Sequence, residues 1–106
     1  MISDDDAEKA ADYIRDNAAK AGDAHATRVY LTEYRKSLKA ILMGDKLLDA
    51  LGAQERYAYS HQKYLKHLDA LREAIAEDKR IEWMMKAAET KIDVWRSQSA
   101  NSRGKI

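Results

Sequence analysis

Small and apolar residues recur along most of this chain at intervals of three and four, the spacing that gathers them on one side of an α-helix. The most regular run is Tyr64, His67, Leu71, Ala74, Asp78, Ile81, Met85, Ala88, Ile92 and Trp95, a continuous heptad alternation. Leu68 and Ile75 widen its first half. This pattern predicts a helix over about residues 60–97, roughly 50 Å long. His67 and Asp78 are polar members of the seam, and such residues more often set register or oligomeric state than perform chemistry.

The earlier part of the chain reads less simply. Ser3, followed three positions later by Asp6, forms a capping box that opens a helix. Ala7, Ala11, Ile14, Ala18 and Ala21 then make a narrow seam suited to close approach by another helix. The pattern resumes in a shifted phase at Ala24, Thr27, Leu31, Tyr34, Leu38 and Ile41. A single helix over about residues 4–52 is predicted, with an irregularity near Gly22; a break there is the alternative. The stretch "AILMGDKLLDAL" is apolar on more than one side, and Gly52 follows as a left-handed helix cap. "GAQERYAYSH" becomes the connection, with Ser60 as N-cap of the next helix.

A second stripe lies on the later helix, away from the heptad seam: Trp83, Ala87, Thr90 and Val94. An exposed tryptophan heading an apolar stripe is costly to leave in water, so this face is expected to meet a second copy or another protein. Leu47, Leu48 and Leu51, with Trp83, Ala87 and Val94, are the expected oligomer interface. The expected fold is all-α: two long antiparallel helices forming a coiled-coil-like hairpin over residues 1–97, closed as a dimeric bundle, a homo-oligomer. Residues 98–106 are expected to be a flexible polar tail.

Composition agrees with helices. The 106 residues include no proline and no phenylalanine, only four glycines, and 35% charged side chains. The absence of cysteine excludes disulfides, thiolate metal sites and a cysteine nucleophile. No apolar run is long enough for a bilayer, and "MISDDDAEK" is the opposite of a signal peptide's start, so a cytoplasmic protein without a membrane partner is expected. The net charge of +1 conceals a gradient: residues 1–23 hold seven acids against three bases, and residues 83–106 two acids against five bases. Helix-dipole matching is one account. A basic tail of Arg96, Arg103 and Lys105 touching an anionic partner is the other.

Candidate chemistry is sparse. His61 and His67 are six apart, about 240° around a helix, and no Glu-x-x-His spacing occurs, so no metal or other cofactor is expected. His67 and Asp78 lie about 16 Å apart along the helix axis and cannot act as a dyad within one chain. The four glycines are scattered singly, without a phosphate-cradling loop, and no enzymatic activity is expected. Nucleic-acid binding has more support. "ERYAYSHQKYLKH" places Arg56, Lys63 and Lys66 beside Tyr57, Tyr59, His61 and Tyr64, and "YRKSLK" adds Arg35, Lys36 and Lys39. Cations interleaved with stacking rings suit single- or double-stranded DNA. The alternative is that Tyr64 belongs to the seam, Tyr57 and Tyr59 pack across the hairpin end, and the lysines lie along the surface.

At "RVYLTEYRKSLKAILM", "QERYAYSHQKY" and "KIDVWRSQSANSR" the sequence resembles a group of small helical proteins of tailed bacteriophages and prophages. The resemblance covers most of the chain from about residue 7. Members lie among early genes for DNA replication and recombination, generally without an assigned activity. Gln62 stands where such relatives often carry proline. The resemblance implies a non-enzymatic phage accessory protein that acts by binding in DNA recombination or replication, in the host bacterial cytoplasm. It transfers no catalytic residue. A protein-binding inhibitor or adaptor directed at a host or phage enzyme, without nucleic-acid contact, is the second expectation.

Overall fold

The computed structural model describes residues 1–104, and among them the regular structure is entirely helical. Helix α1 spans Asp4–Met43, a 3₁₀ turn follows at Gly44–Lys46, α2 spans Leu51–Ser60, and α3 spans Gln62–Gly104. The Ser3 hydroxyl accepts from the Asp6 backbone N–H at 3.0 Å, and the Asp6 carboxylate accepts from the Ser3 N–H at 3.2 Å. The capping box is therefore formed in both directions. Asp4, Asp5 and Asp6 occupy the first turn of α1 and Arg103 the last turn of α3, where each sign suits the helix dipole.

The heptad reading of α3 holds at every position. Tyr64, His67, Leu71, Asp78, Ile81 and Ala88 are buried, and Ala74, Met85, Ile92 and Trp95 are half-buried. The seam of α1 needs correction. The shielded positions that recur at intervals of three and four are Ala7, Ala10, Ile14, Asn17, Ala21, Ala24, Arg28, Leu31, Arg35, Leu38 and Leu42. That is one heptad phase from end to end, with no shift and no helix break at Gly22. Ala11, Ala18, Thr27, Tyr34 and Ile41 are exposed, because polar Asn17, Arg28 and Arg35 hold seam positions that apolar periodicity cannot find.

The chain packs as two units. In the first, residues 1–23 pack with residues 79–104. The Trp95 indole donates to Asp4 Oδ1 at 2.7 Å, and the Ile2 N–H donates to Gln98 Oε1 at 3.2 Å. Ala10 and Tyr13 share a hollow of about 210 Å³ with Met84, Ala87 and Ala88. Buried Ala7, Ala10 and Ala88 keep this packing close and shallow.

The second unit comprises residues 24–78. Its core is Leu38, Leu42, Ala58 and Tyr64, flanked by Met43, Tyr57 and Leu68. Ala58 is wholly buried, and a larger side chain there would hold α2 off its neighbours. The seam of this unit also carries charge. Asp78, only 6% exposed, accepts from Arg28 Nε and from His25 Nδ1 at 3.3 Å. His67 Nε2 donates to the Leu31 carbonyl at 2.7 Å.

The connection differs most from the sequence reading. The first helix ends at Met43, not near residue 52, and Gly52 is the second residue of α2 with no left-handed backbone. Ala50 is extended and starts α2, with the Ala53 and Gln54 N–H groups donating to its carbonyl at 3.0 Å. Leu47, Leu48 and Leu51, which resembled a continuing helix, lie exposed around this turn. Ser60 does not cap α3, because its hydroxyl donates back to the Arg56 carbonyl at 2.6 Å. His61 takes that role: its backbone is extended and its Nδ1 accepts from the Lys63 N–H at 3.0 Å. Beyond Ser97 the α3 helix continues through Gly104, where a flexible tail was expected; Lys105 lies outside the described residues.

Candidate nucleic-acid interface

The site is built by three helices and by two stretches of sequence that are separate along the chain. Arg35 and Lys36 are consecutive on α1 and Lys39 lies about one turn further on, which places their stems on neighbouring strips of its surface. Tyr59 lies in the last turn of α2 and Tyr64 in the first turn of α3, on either side of the extended residue His61. Within the second unit these five residues line one groove of about 480 Å³.

Its aromatic wall is ordered from the core outward. Tyr64 is 7% exposed and belongs to the seam, while Tyr59 is 45% exposed. Their rings meet edge to face, with centroids 5.3 Å apart and planes at 81°. Lys39 Nζ lies over the Tyr59 ring, 4.7 Å from its centroid. Hydrogen bonding to Tyr59 raises the Lys39 ammonium above its usual pKa, against a smaller opposing effect of burial, so the lysine stays charged. Glu55 adds a favourable field at Lys39, and Glu33 pairs with Lys36 Nζ at 3.3 Å. The exposed Lys36–Glu33 pair is worth little and leaves the ammonium available to a stronger anion.

The other expected contact residues are placed elsewhere. Tyr57 donates its hydroxyl to Asp45 at 3.2 Å, and Lys46 Nζ lies 5.2 Å from its ring centroid. Burial and the Asp45 hydrogen bond raise the Tyr57 phenol. His61 packs edge-on to Tyr57 at 5.4 Å and caps α3, so both rings have structural duties at the turn. Arg56, Lys63 and Lys66 are exposed but do not line the groove. Arg96 and Arg103 belong to the first unit, where they line a shallow hollow with Trp95, and Arg96 reaches Asp93 at 3.8 Å.

Two features escaped the sequence reading. Tyr64 was read as either a stacking ring or a seam residue, yet its buried ring belongs to the seam and also braces the groove through Tyr59. Arg28 and His25 were not recognised as partners of Asp78, because a contact between helices leaves no spacing signal in one sequence. Among the described residues no cluster of three or more His, Asp or Glu side chains is placed to hold a metal ion. None of the described helices is long and apolar enough to cross a membrane. Compared with protein-family models, curated proteins and solved structures, the chain matches none.

Proposed function

We propose that this protein is a non-enzymatic binding protein that holds nucleic acid through the groove around Arg35, Lys36 and Lys39. The observation that carries this reading is the convergence of three cations and two tyrosines, distant in sequence, on one groove. Phosphates would meet the cations, and the rings would provide an apolar wall for sugar or base. In the setting implied by the resemblance to small phage proteins, the ligand is DNA in phage recombination or replication, in the bacterial cytoplasm.

In this reading the long helices pair as an antiparallel hairpin and a second copy completes the assembly. Support comes from exposed Trp83, Ala87 and Val94 at helical spacing on α3, and from exposed Leu47, Leu48 and Leu51 at the turn. Replacing Trp83 by lysine should shift the mass in solution from dimer to monomer; a wild-type monomer at high concentration would contradict the assembly.

Titration of labelled single- and double-stranded oligonucleotides at two salt concentrations tests the binding. Replacing Arg35, Lys36 and Lys39 by alanine should weaken binding and flatten the salt dependence, reducing the slope of log K against log salt by about 2. No binding at low salt would overturn the proposal. The exposure of Leu48, at 103% of its reference area, favours the second reading, a protein-directed adaptor using the leucine turn.

A further inference from the structure

Tyr59 is held differently from its neighbours Tyr57 and Tyr64. The Tyr57 hydroxyl and ring are both engaged at the turn, and Tyr64 is buried. Tyr59 is 45% exposed, meets the Tyr64 ring edge to face and has the Lys39 ammonium over its own ring. A brace that is itself part of the core fixes the ring plane before any ligand arrives, which lowers the ordering cost of binding.

A cation over an exposed ring is held weakly, whereas a nucleic-acid base stacked on an aromatic ring is held more strongly. The base therefore wins the ring face, and the displaced ammonium has phosphate as its new partner. Bases within a duplex are already stacked on one another and cannot offer a face without unpairing. The groove volume of about 480 Å³ suits a nucleotide-sized group.

We infer that the groove takes single-stranded nucleic acid, with one base stacked on Tyr59 in the place that Lys39 occupies in the free protein. The inference rests on the nucleic-acid reading above and narrows it to one strand form and one stacking residue. Lys39, Arg35 and Lys36 then serve the backbone on either side of that base.

Anisotropy of a labelled oligothymidylate, alone and annealed to its complement, tests this on the full chain at low salt. Tyr59→Ala should weaken single-strand binding at least about fivefold and leave duplex binding unchanged, while Tyr59→Phe should stay within about twofold of the parent. Tyr59→Leu keeps an apolar contact with Tyr64 but has no π face, so it should behave as alanine does. It serves as the deciding variant if circular dichroism shows that Tyr59→Ala is unfolded. Exposed Tyr30 lies outside the groove, and Tyr30→Ala should bind as the parent does. If Tyr59→Ala and Tyr59→Leu bind the single strand normally, or weaken both forms alike, the stacking inference fails while a salt-sensitive phosphate site stands. If neither strand form binds, both readings fall.

Discussion

Arg28 of α1 donates to the carboxylate of Asp78 of α3 inside the helix seam, at positions where periodicity leads one to expect apolar side chains. The pair stands in the same unit as His67, whose ring donates to the Leu31 carbonyl. Both contacts accept only one alignment of the helices, because a shift by one turn would leave Asp78 and His67 without their partners. We read them as register locks, purchased with the desolvation of a carboxylate.

A double-mutant cycle tests that role. Arg28→Met and Asp78→Leu should each lower the melting temperature, since the first leaves the buried carboxylate with only the exposed His25 and the second leaves the half-buried guanidinium without its carboxylate. The double variant should recover most of the loss, because an apolar pair packs in the seam without an ion to desolvate. Thermal unfolding of the four proteins gives the coupling; additive losses would show that the pair does not act as a unit.

Acid should weaken the same lock. Burial raises the Asp78 carboxyl, but hydrogen bonds from Arg28 and His25 outweigh it and hold the group below the usual value of 3.8. A carboxyl depressed in the folded state contributes stability above its unfolded pKa and loses it as pH falls through the folded pKa. The stability difference between the parent and Asp78→Asn should therefore be constant above about pH 5 and shrink as pH falls below about 4. Denaturant melts across that range measure it.

Gly22 lies within α1, and a Cβ built there meets nothing within 4 Å. Its φ is not positive, so alanine adopts the same backbone without strain. Gly22→Ala should raise stability by about 0.5–1 kcal/mol through helix propensity and a less free unfolded chain. A loss on chemical denaturation would mean that the glycine serves a contact outside this chain.

Leu42 is 2% exposed at the centre of the second unit's core. Leu42→Ala should cost about 2–5 kcal/mol, the sum of lost burial and the cavity left behind. Ile41→Ala, one residue away but 60% exposed, should stay within about 0.5 kcal/mol, and the contrast between them checks the seam phase.

The two helices differ in how much of their packing could be read in advance. In α3 the seam side chains are mostly apolar, and its polar members His67 and Asp78 fall in phase with them. In α1 alanines are so frequent that several phases look equally small, and Arg28 and Arg35 occupy seam positions as polar residues. Small residues carry little phase information because burying a methyl group yields little free energy on any face. The leucines at 47, 48 and 51 misled in another way: the apolar run around them was taken for a continuing helix, although the chain turns there.

Of the expected contact residues, the groove gathers Arg35, Lys36, Lys39 and Tyr59 and adds Tyr64. The stretch "ERYAYSHQKYLKH" looked dense because a helix end, an extended cap and a helix start succeed one another within it. Those local duties engage Tyr57, Ser60 and His61. Helical class, the capping box and the heptad of α3 follow from local propensity and period, which neighbouring residues along one chain suffice to set. The α1 phase, the Asp78 partners and the assembly of the groove depend on which side chains meet across helices, and that choice is made by burial and charge pairing between residues far apart in sequence.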